Sequence, residues 1–111
     1  LTAFVPDSTW SIYAACKAGV THYLESICNV AHDKEISLTT CFPGCLDTDF
    51  HQNSGAIKPE IAVNPDLIVS DMLNAIETKQ RFWSAPMDKA IINSVYDNKN
   101  DLLNKNLGAL K

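Results

Sequence analysis

Tyr13 and Lys17 lie four residues apart in the segment Ser-Ile-Tyr-Ala-Ala-Cys-Lys-Ala-Gly-Val, which predicts a helix. On a helix, side chains at positions i and i+4 share one face, with Cβ atoms about 5–6 Å apart. A free phenol, with a pKa of about 10, is a weak base near neutral pH, and a neighbouring cation favours its phenolate form. The pair therefore predicts proton transfer to or from an alcohol or a carbonyl.

The same spacing also occurs on many helices as a packed ring beside a solvated amine, so the pair is not specific by itself. A second candidate segment follows at residues 36–48, Ile-Ser-Leu-Thr-Thr-Cys-Phe-Pro-Gly-Cys-Leu-Asp-Thr. Residues 36–42 are β-branched and apolar and predict a strand, which Pro43 ends because it cannot donate a ladder hydrogen bond. Ligands of open α/β sheets bind at this carboxyl edge, and Gly44 permits close backbone approach or a positive φ. A plain turn is the alternative interpretation of Pro-Gly.

The two segments together resemble the short-chain dehydrogenase/reductases. The first matches their Tyr-x-x-x-Lys helix, including the small residues Ala14, Ala15, Ala18 and Gly19, and the second matches a strand followed by Pro-Gly-x-x-x-Thr. The resemblance implies an α/β fold, a partial Rossmann-like, doubly wound parallel sheet. Residues 1–111 would form the C-terminal part of one such domain, with the Tyr-Lys helix, the strand, the Pro-Gly loop, a substrate loop and C-terminal helices.

The resemblance also implies the reaction and the residue roles. A nicotinamide cofactor, NAD or NADP, would exchange a hydride with a secondary alcohol or ketone. Tyr13 would be the general acid/base and would also contact the cofactor, and Lys17 would favour its phenolate and hold the ribose hydroxyls. Pro43 and Gly44 would lie against the nicotinamide ring, and Thr48 would bond the carboxamide.

Parts of the family pattern have no counterpart in these residues. The glycine-rich phosphate loop is not found around Gly19, Gly44 or Gly55, and the catalytic serine falls ahead of Leu1. We therefore expect a C-terminal half that is inactive without its other half. The alternative is a non-catalytic truncated module that acts through dimerisation or partner binding, and a gene fragment without function also stays open.

The first helix is predicted to run to about His32, with Asp7, Ser8 or Thr9 as its cap. Its apolar residues recur at three- and four-residue steps over a wide face, which predicts cover on two sides. They are Ile12, Cys16, Val20, Tyr23, Leu24, Ile27, Cys28 and Ala31. In the resembled family this helix often builds a dimer interface, so we expect a homo-oligomer through the Tyr13–Lys17 helix.

The remaining chain predicts an irregular loop, a helix, a strand and a helical tail. Residues 49–63 are polar and irregular and are typical of a substrate flap; His51 lies there and is not assigned to the site. Asn64-Pro65-Asp66 begins a helix that continues to about residue 78. Residues 81–85 predict a strand.

Residues 87–111 predict a helix that the polar segment 97–101 could interrupt. This ending resembles the hydroxysteroid-dehydrogenase-like branch of the family, which acts on bulky lipophilic alcohols and ketones. Core packing, a dimer contact and a loose membrane-surface helix are three interpretations of its leucines. Those leucines are Leu102, Leu103, Leu107 and Leu110.

Composition limits the partners and the compartment. A net charge of −4 argues against nucleic acid, and no apolar run approaches the about 20 residues of a membrane span. The four cysteines predict free buried thiols in a reducing compartment, which favours the cytoplasm; an upstream anchor would allow the endoplasmic reticulum. A metal site from Cys41, Cys45 and His51 lacks the usual ligand pairing, so no metal is predicted.

Overall fold

The computed structural model describes residues 2–109, with the side chains of residues 103 and 106–109 excepted. It contains both helices and strands, as the predicted α/β class requires. In order they are α1 (Ser11–Asp33), β1 (Thr40–Phe42), α2 (Phe50–Asn53), a 3-10 helix (Pro65–Leu67), α3 (Val69–Glu77), β2 (Phe82–Ser84) and α4 (Lys89–Ala109).

The strands β1 and β2 pair in parallel, with α3 on the connection between them. Thr40 lies opposite Phe82, and Phe42 lies opposite Ser84. Parallel neighbours of this kind place their carboxyl ends at one edge, which is the β-α-β arrangement of Rossmann-like sheets. The predicted mixed α/β, partial Rossmann-like class is therefore confirmed.

The strand predicted over residues 36–42 is shorter than expected. Glu35 has a φ of 59°, and the Ile36 N–H bonds the Ala31 carbonyl at 2.9 Å, so the chain here is still closing the end of α1. The strand begins to pair only at Thr40, where β2 runs beside it. The Thr40 N–H donates a hydrogen bond to the Arg81 carbonyl at 3.1 Å. The second strand lies inside its predicted range, residues 81–85.

The predicted cap of the first helix is wrong. α1 begins at Ser11 after Trp10, which makes no side-chain capping bond. The carboxylate of Asp7 instead accepts a bond from the Thr9 N–H at 2.8 Å, which closes a local turn before the helix. The helix ends at Asp33, one residue beyond the expected end.

The segment after Val63 starts as predicted. The Asn64 side chain accepts a bond from the Asp66 N–H at 3.0 Å, and Pro65 takes the first position of the 3-10 helix that leads into α3. The loop before it is more ordered than predicted. It contains α2, and its two ends meet in a parallel bridge between Leu46 and Val63.

The predicted interruption of the last helix is also wrong, because α4 runs unbroken through residues 97–101. Lys99, in the middle of this polar segment, forms an ion pair with Glu25 on α1. Leu102, the one leucine of the predicted cluster whose side chain is described, is 60% exposed. The side chains of the other three leucines lie outside the described residues.

The core lies where α4 crosses the two strands. Phe42, Ile92 and Tyr96 are buried together, and the rings of Phe82 and Tyr96 stack with centroids 4.3 Å apart. Phe4 packs against Phe42 at 5.2 Å. Aromatic pairs at these distances add to the stability from burial alone.

The wide apolar face of α1 is covered on one side only among the described residues, where Ala14 and Thr21 are buried. Large apolar side chains on the helix remain exposed, so the predicted cover on two sides is not seen in this part of the chain. They are Ile12, Val20, Tyr23 and Val30. The homo-oligomer stays a prediction. Within residues 2–109, no helix has the length and apolarity needed to cross a bilayer.

The ion pair between α1 and α4 predicts an acid-sensitive stability. Burial raises the pKa of Glu25, but bonds from Lys99 and Tyr96 outweigh it and bring the pKa below its usual 4.5. A carboxyl group whose pKa is lower in the folded chain stabilises the fold at pH values above its unfolded-state pKa. This stabilisation is lost as the pH falls through the folded-state pKa. We therefore expect the free energy of unfolding to decrease from about pH 5 downward.

Urea unfolding across that pH range measures the effect. Glu25→Gln should show a shallower acid decrease than the unmodified chain, because the titrating carboxyl is gone. Glu60→Gln, at an exposed position, is the matched control and should follow the unmodified chain. An equally steep decrease in Glu25→Gln would contradict the role of this ion pair.

Candidate active site

A cavity of about 440 Å³ opens at the carboxyl ends of β1 and β2. The turn after β1 supplies Pro43, Gly44 and Cys45, and the turn after β2 supplies Met87 and Asp88. The segment before α1, the first turn of α1 and the loop containing α2 complete the wall. Their contributions are Thr2, Trp10, Tyr13, Leu46, Thr48, Phe50, His51, Ile57, Pro59 and Ile61.

The cavity brings four of the five predicted site residues together. Tyr13, Pro43, Gly44 and Thr48 all line it, although they lie up to 35 positions apart in the chain. Lys17 is not part of the wall: it is exposed, and its Nζ lies 5.4 Å from the centroid of the Tyr13 ring. The predicted i,i+4 contact is therefore present, and the roles of the five residues remain predictions.

A glycine is required at position 44 because the turn after β1 and the turn after β2 approach each other closely there. Its φ is +74°, which a side chain disfavours, and a Cβ at this position would lie 3.2 Å from the Asp88 carboxylate and 3.7 Å from the Ala85 Cβ. The absence of a Cβ lets the turn after β1 pack against the turn after β2. Gly44 also lines the cavity.

Backbone bonds hold the loop that carries Thr48. The Val63 N–H bonds the Cys45 carbonyl at 2.9 Å, and the Asp47 N–H bonds the Val63 carbonyl at 2.8 Å. The Thr48 hydroxyl accepts a weak bond from the Phe50 N–H at 3.4 Å, at the start of α2. Thr48 is exposed and still has its hydroxyl hydrogen to donate.

Aromatic rings form one side of the cavity. Phe50 lies with its ring centroid 5.5 Å from Tyr13 and stacks with Trp10 at 6.1 Å. Trp10 also meets Tyr13 edge-on at 5.7 Å. Contacts with Trp10 and Phe50 restrict the Tyr13 ring. The sequence did not assign Trp10 or Phe50 to the site. Phe50 was missed because α2, on which it lies, was not predicted.

Cys45 and His51, which the sequence suggested only as possible metal ligands with Cys41, form a second pair in the cavity. The Cys45 Sγ lies 3.7 Å from His51 Nε2, and both residues line the cavity. His51 Nδ1 is buried and has no hydrogen-bond partner among the described residues. Burial raises the pKa of the Cys45 thiol, so the thiol is the resting form. A histidine six residues from a cysteine has no diagnostic spacing; the short helix α2 brings them together.

The cysteines are free, as predicted, but Cys16 is exposed rather than buried. No group of three or more histidine, cysteine or acidic side chains within the described part of the chain is arranged to hold a metal ion. Cys45 and His51 are thus a pair without a third ligand.

Comparison with known proteins identifies the family. The family model for short chain dehydrogenase matches residues 1–58, which include Tyr13, Lys17, Pro43, Gly44 and Thr48. The match covers just over half of the chain, and the protein belongs to the short-chain dehydrogenase family, a family of oxidoreductases. Searches of the curated proteins and of the solved structures found no match.

Proposed function

We propose that this protein is an NAD(P)-dependent oxidoreductase that interconverts a secondary alcohol and a ketone, with Tyr13 as its general acid/base. The observation that carries the proposal is the position of Tyr13 on α1, across one cavity from Pro43, Gly44 and Thr48. The cavity lies at the carboxyl ends of parallel strands, where ligands of open α/β sheets bind. Residues from distant positions thus converge at the expected edge.

The residues present fit a nicotinamide group. Gly44 lines the cavity and presents only backbone atoms to it. The Thr48 hydroxyl can donate a hydrogen bond to the carboxamide oxygen of the nicotinamide. The bound cofactor would supply the hydride chemistry. Tyr13 would donate its proton to the substrate oxygen during ketone reduction and take it back during alcohol oxidation. The Lys17 ammonium, 5.4 Å from the Tyr13 ring centroid, would favour the negatively charged phenolate.

We also propose that the substrate is lipophilic. Most side chains that face the cavity beyond Tyr13 are apolar, including Trp10, Leu46, Phe50 and Met87. Apolar walls with a few polar groups are typical of sites that bind apolar small molecules. This lining agrees with the resemblance to the hydroxysteroid-like branch and supports it on separate grounds.

A cofactor titration of the native protein tests the proposal. Trp10 is about one helical turn from Tyr13 and lines the cavity, so its fluorescence should report binding. We expect a saturable change with NADH or NADPH.

Gly44→Ala should weaken that binding at least about tenfold, because its methyl group meets Asp88 at the cavity wall. Gly55→Ala is the matched control. It has the same positive φ, at +72°, but open space around it and no place in the cavity. No saturable response to either cofactor would contradict the proposal and favour a non-catalytic module.

A further inference from the structure

The cavity contains a nucleophile and a base that the proposed reaction does not use. Cys45 Sγ and His51 Nε2 are 3.7 Å apart, within the range of a hydrogen bond to sulfur. The Cys45 backbone is held by the bond from Val63, and the His51 carbonyl accepts bonds from the Ala56 N–H at 2.9 Å and the Ser54 hydroxyl at 3.0 Å. Both ends of the pair are therefore anchored.

Cys41 is the control thiol with which the reactivity of Cys45 can be compared. Like Cys45 it is half-buried, and burial raises the pKa of both thiols. Cys41 lies on β1 and does not line the cavity, and no histidine bonds it within the described residues. The two thiols therefore belong to the same burial class and differ in that Cys45 has the cavity and His51 beside it.

We propose that Cys45 is a nucleophilic site, with His51 as its base, that captures α,β-unsaturated carbonyl compounds in this cavity. The ligand class follows from two features. A thiol is a soft nucleophile that adds to conjugated carbon, and the walls around it are apolar and aromatic. The cavity, at about 440 Å³, has room for a small cyclic enone.

The addition balances without any further reagent. In the Nδ1-protonated tautomer, His51 Nε2 accepts the thiol proton while the sulfur electron pair forms a bond to the β carbon of the enone. The π electrons move to the α carbon and the carbonyl oxygen as an enolate. His51 then returns the proton to the α carbon, which leaves a thioether and a saturated carbonyl. Nothing is oxidised, reduced or released.

The test uses 2-cyclohexen-1-one with the full chain, followed by mass analysis of the cysteine-containing peptides over time. We expect the Cys45 thioether to form at least about tenfold faster than the Cys41 thioether, since positioned general bases typically accelerate reactions by about 10²–10⁴. Saturated cyclohexanone is the matched unreactive compound. When present in excess it should slow modification of Cys45 without slowing that of Cys41.

His51→Gln should lower the Cys45 rate about tenfold or more and leave the Cys41 rate unchanged. A Cys45 rate no higher than that of Cys41, or unaltered by His51→Gln, would overturn the proposal. If His51→Gln unfolds the chain, faster modification of Cys41 will reveal it, and the ratio of the two rates in the unmodified chain then decides. The measurement needs no nicotinamide cofactor, so its outcome is independent of the proposed oxidoreductase activity.

Discussion

Replacing Tyr13 with phenylalanine is expected to lower kcat/KM of the native protein for a secondary alcohol by about a thousandfold, within the range for loss of a general acid/base. The substitution removes only the hydroxyl. The ring keeps its contacts with Trp10 and Phe50, whose centroids lie 5.7 and 5.5 Å away. The wall of the cavity should therefore survive, and cofactor affinity should change much less than the rate.

Tyr23→Phe is the control for this prediction. Tyr23 lies on the same helix but is 63% exposed and does not line the cavity, so loss of its hydroxyl should leave the rate unchanged. Steady-state oxidation of alcohols by the two variants, with Trp10 fluorescence to measure cofactor binding, separates chemistry from binding. Undiminished oxidation in Tyr13→Phe would show that another group moves the proton.

Replacing Ile92 with alanine is expected to lower the free energy of unfolding by about 3 kcal/mol, as typical for a fully buried isoleucine. Ile92 is 0% exposed and packs with Phe42 and Tyr96 where α4 crosses the strands. The deleted atoms would leave a cavity among aromatic rings, which cannot readily collapse into it. Phe42 immediately precedes the Pro43-Gly44 turn, so the same packing positions the cavity wall.

Ile91→Ala is the neighbouring control. Ile91 is 46% exposed, so its truncation should cost less than about 1 kcal/mol. Urea unfolding of both variants at one pH gives the comparison. Equal losses at the two positions would mean that the packing of α4 on the strands does not contribute the stability inferred here.

Local patterns in the sequence determined much of the site. The i,i+4 spacing placed Tyr13 beside Lys17 once the segment was helical, because helix geometry is the same everywhere. Pro43 and Gly44 marked the end of a strand, since one cannot donate a ladder bond and the other accepts a positive φ. The Asn64 cap was also readable, because its bond to Asp66 lies within three residues.

Features that depend on distant partners were not readable from local patterns. The length of β1 depends on where its partner strand β2 begins. The helix α4 continues through its polar segment, where Lys99 pairs with Glu25, which lies 74 residues away in the chain.

The amino-acid sequence by itself determined the family, because two motifs follow each other in the expected order. It also determined the helix that carries Tyr13 and Lys17 and the turn at Gly44, because each of these depends on neighbours within a few residues. Only the tertiary structure decided that these groups share one cavity with Phe50, and that Cys45 meets His51 there. These contacts arise from the pairing of β1 with β2 and from the bridge that closes the loop between Leu46 and Val63. Backbone bonds of that kind depend on the whole fold rather than on spacing along the chain.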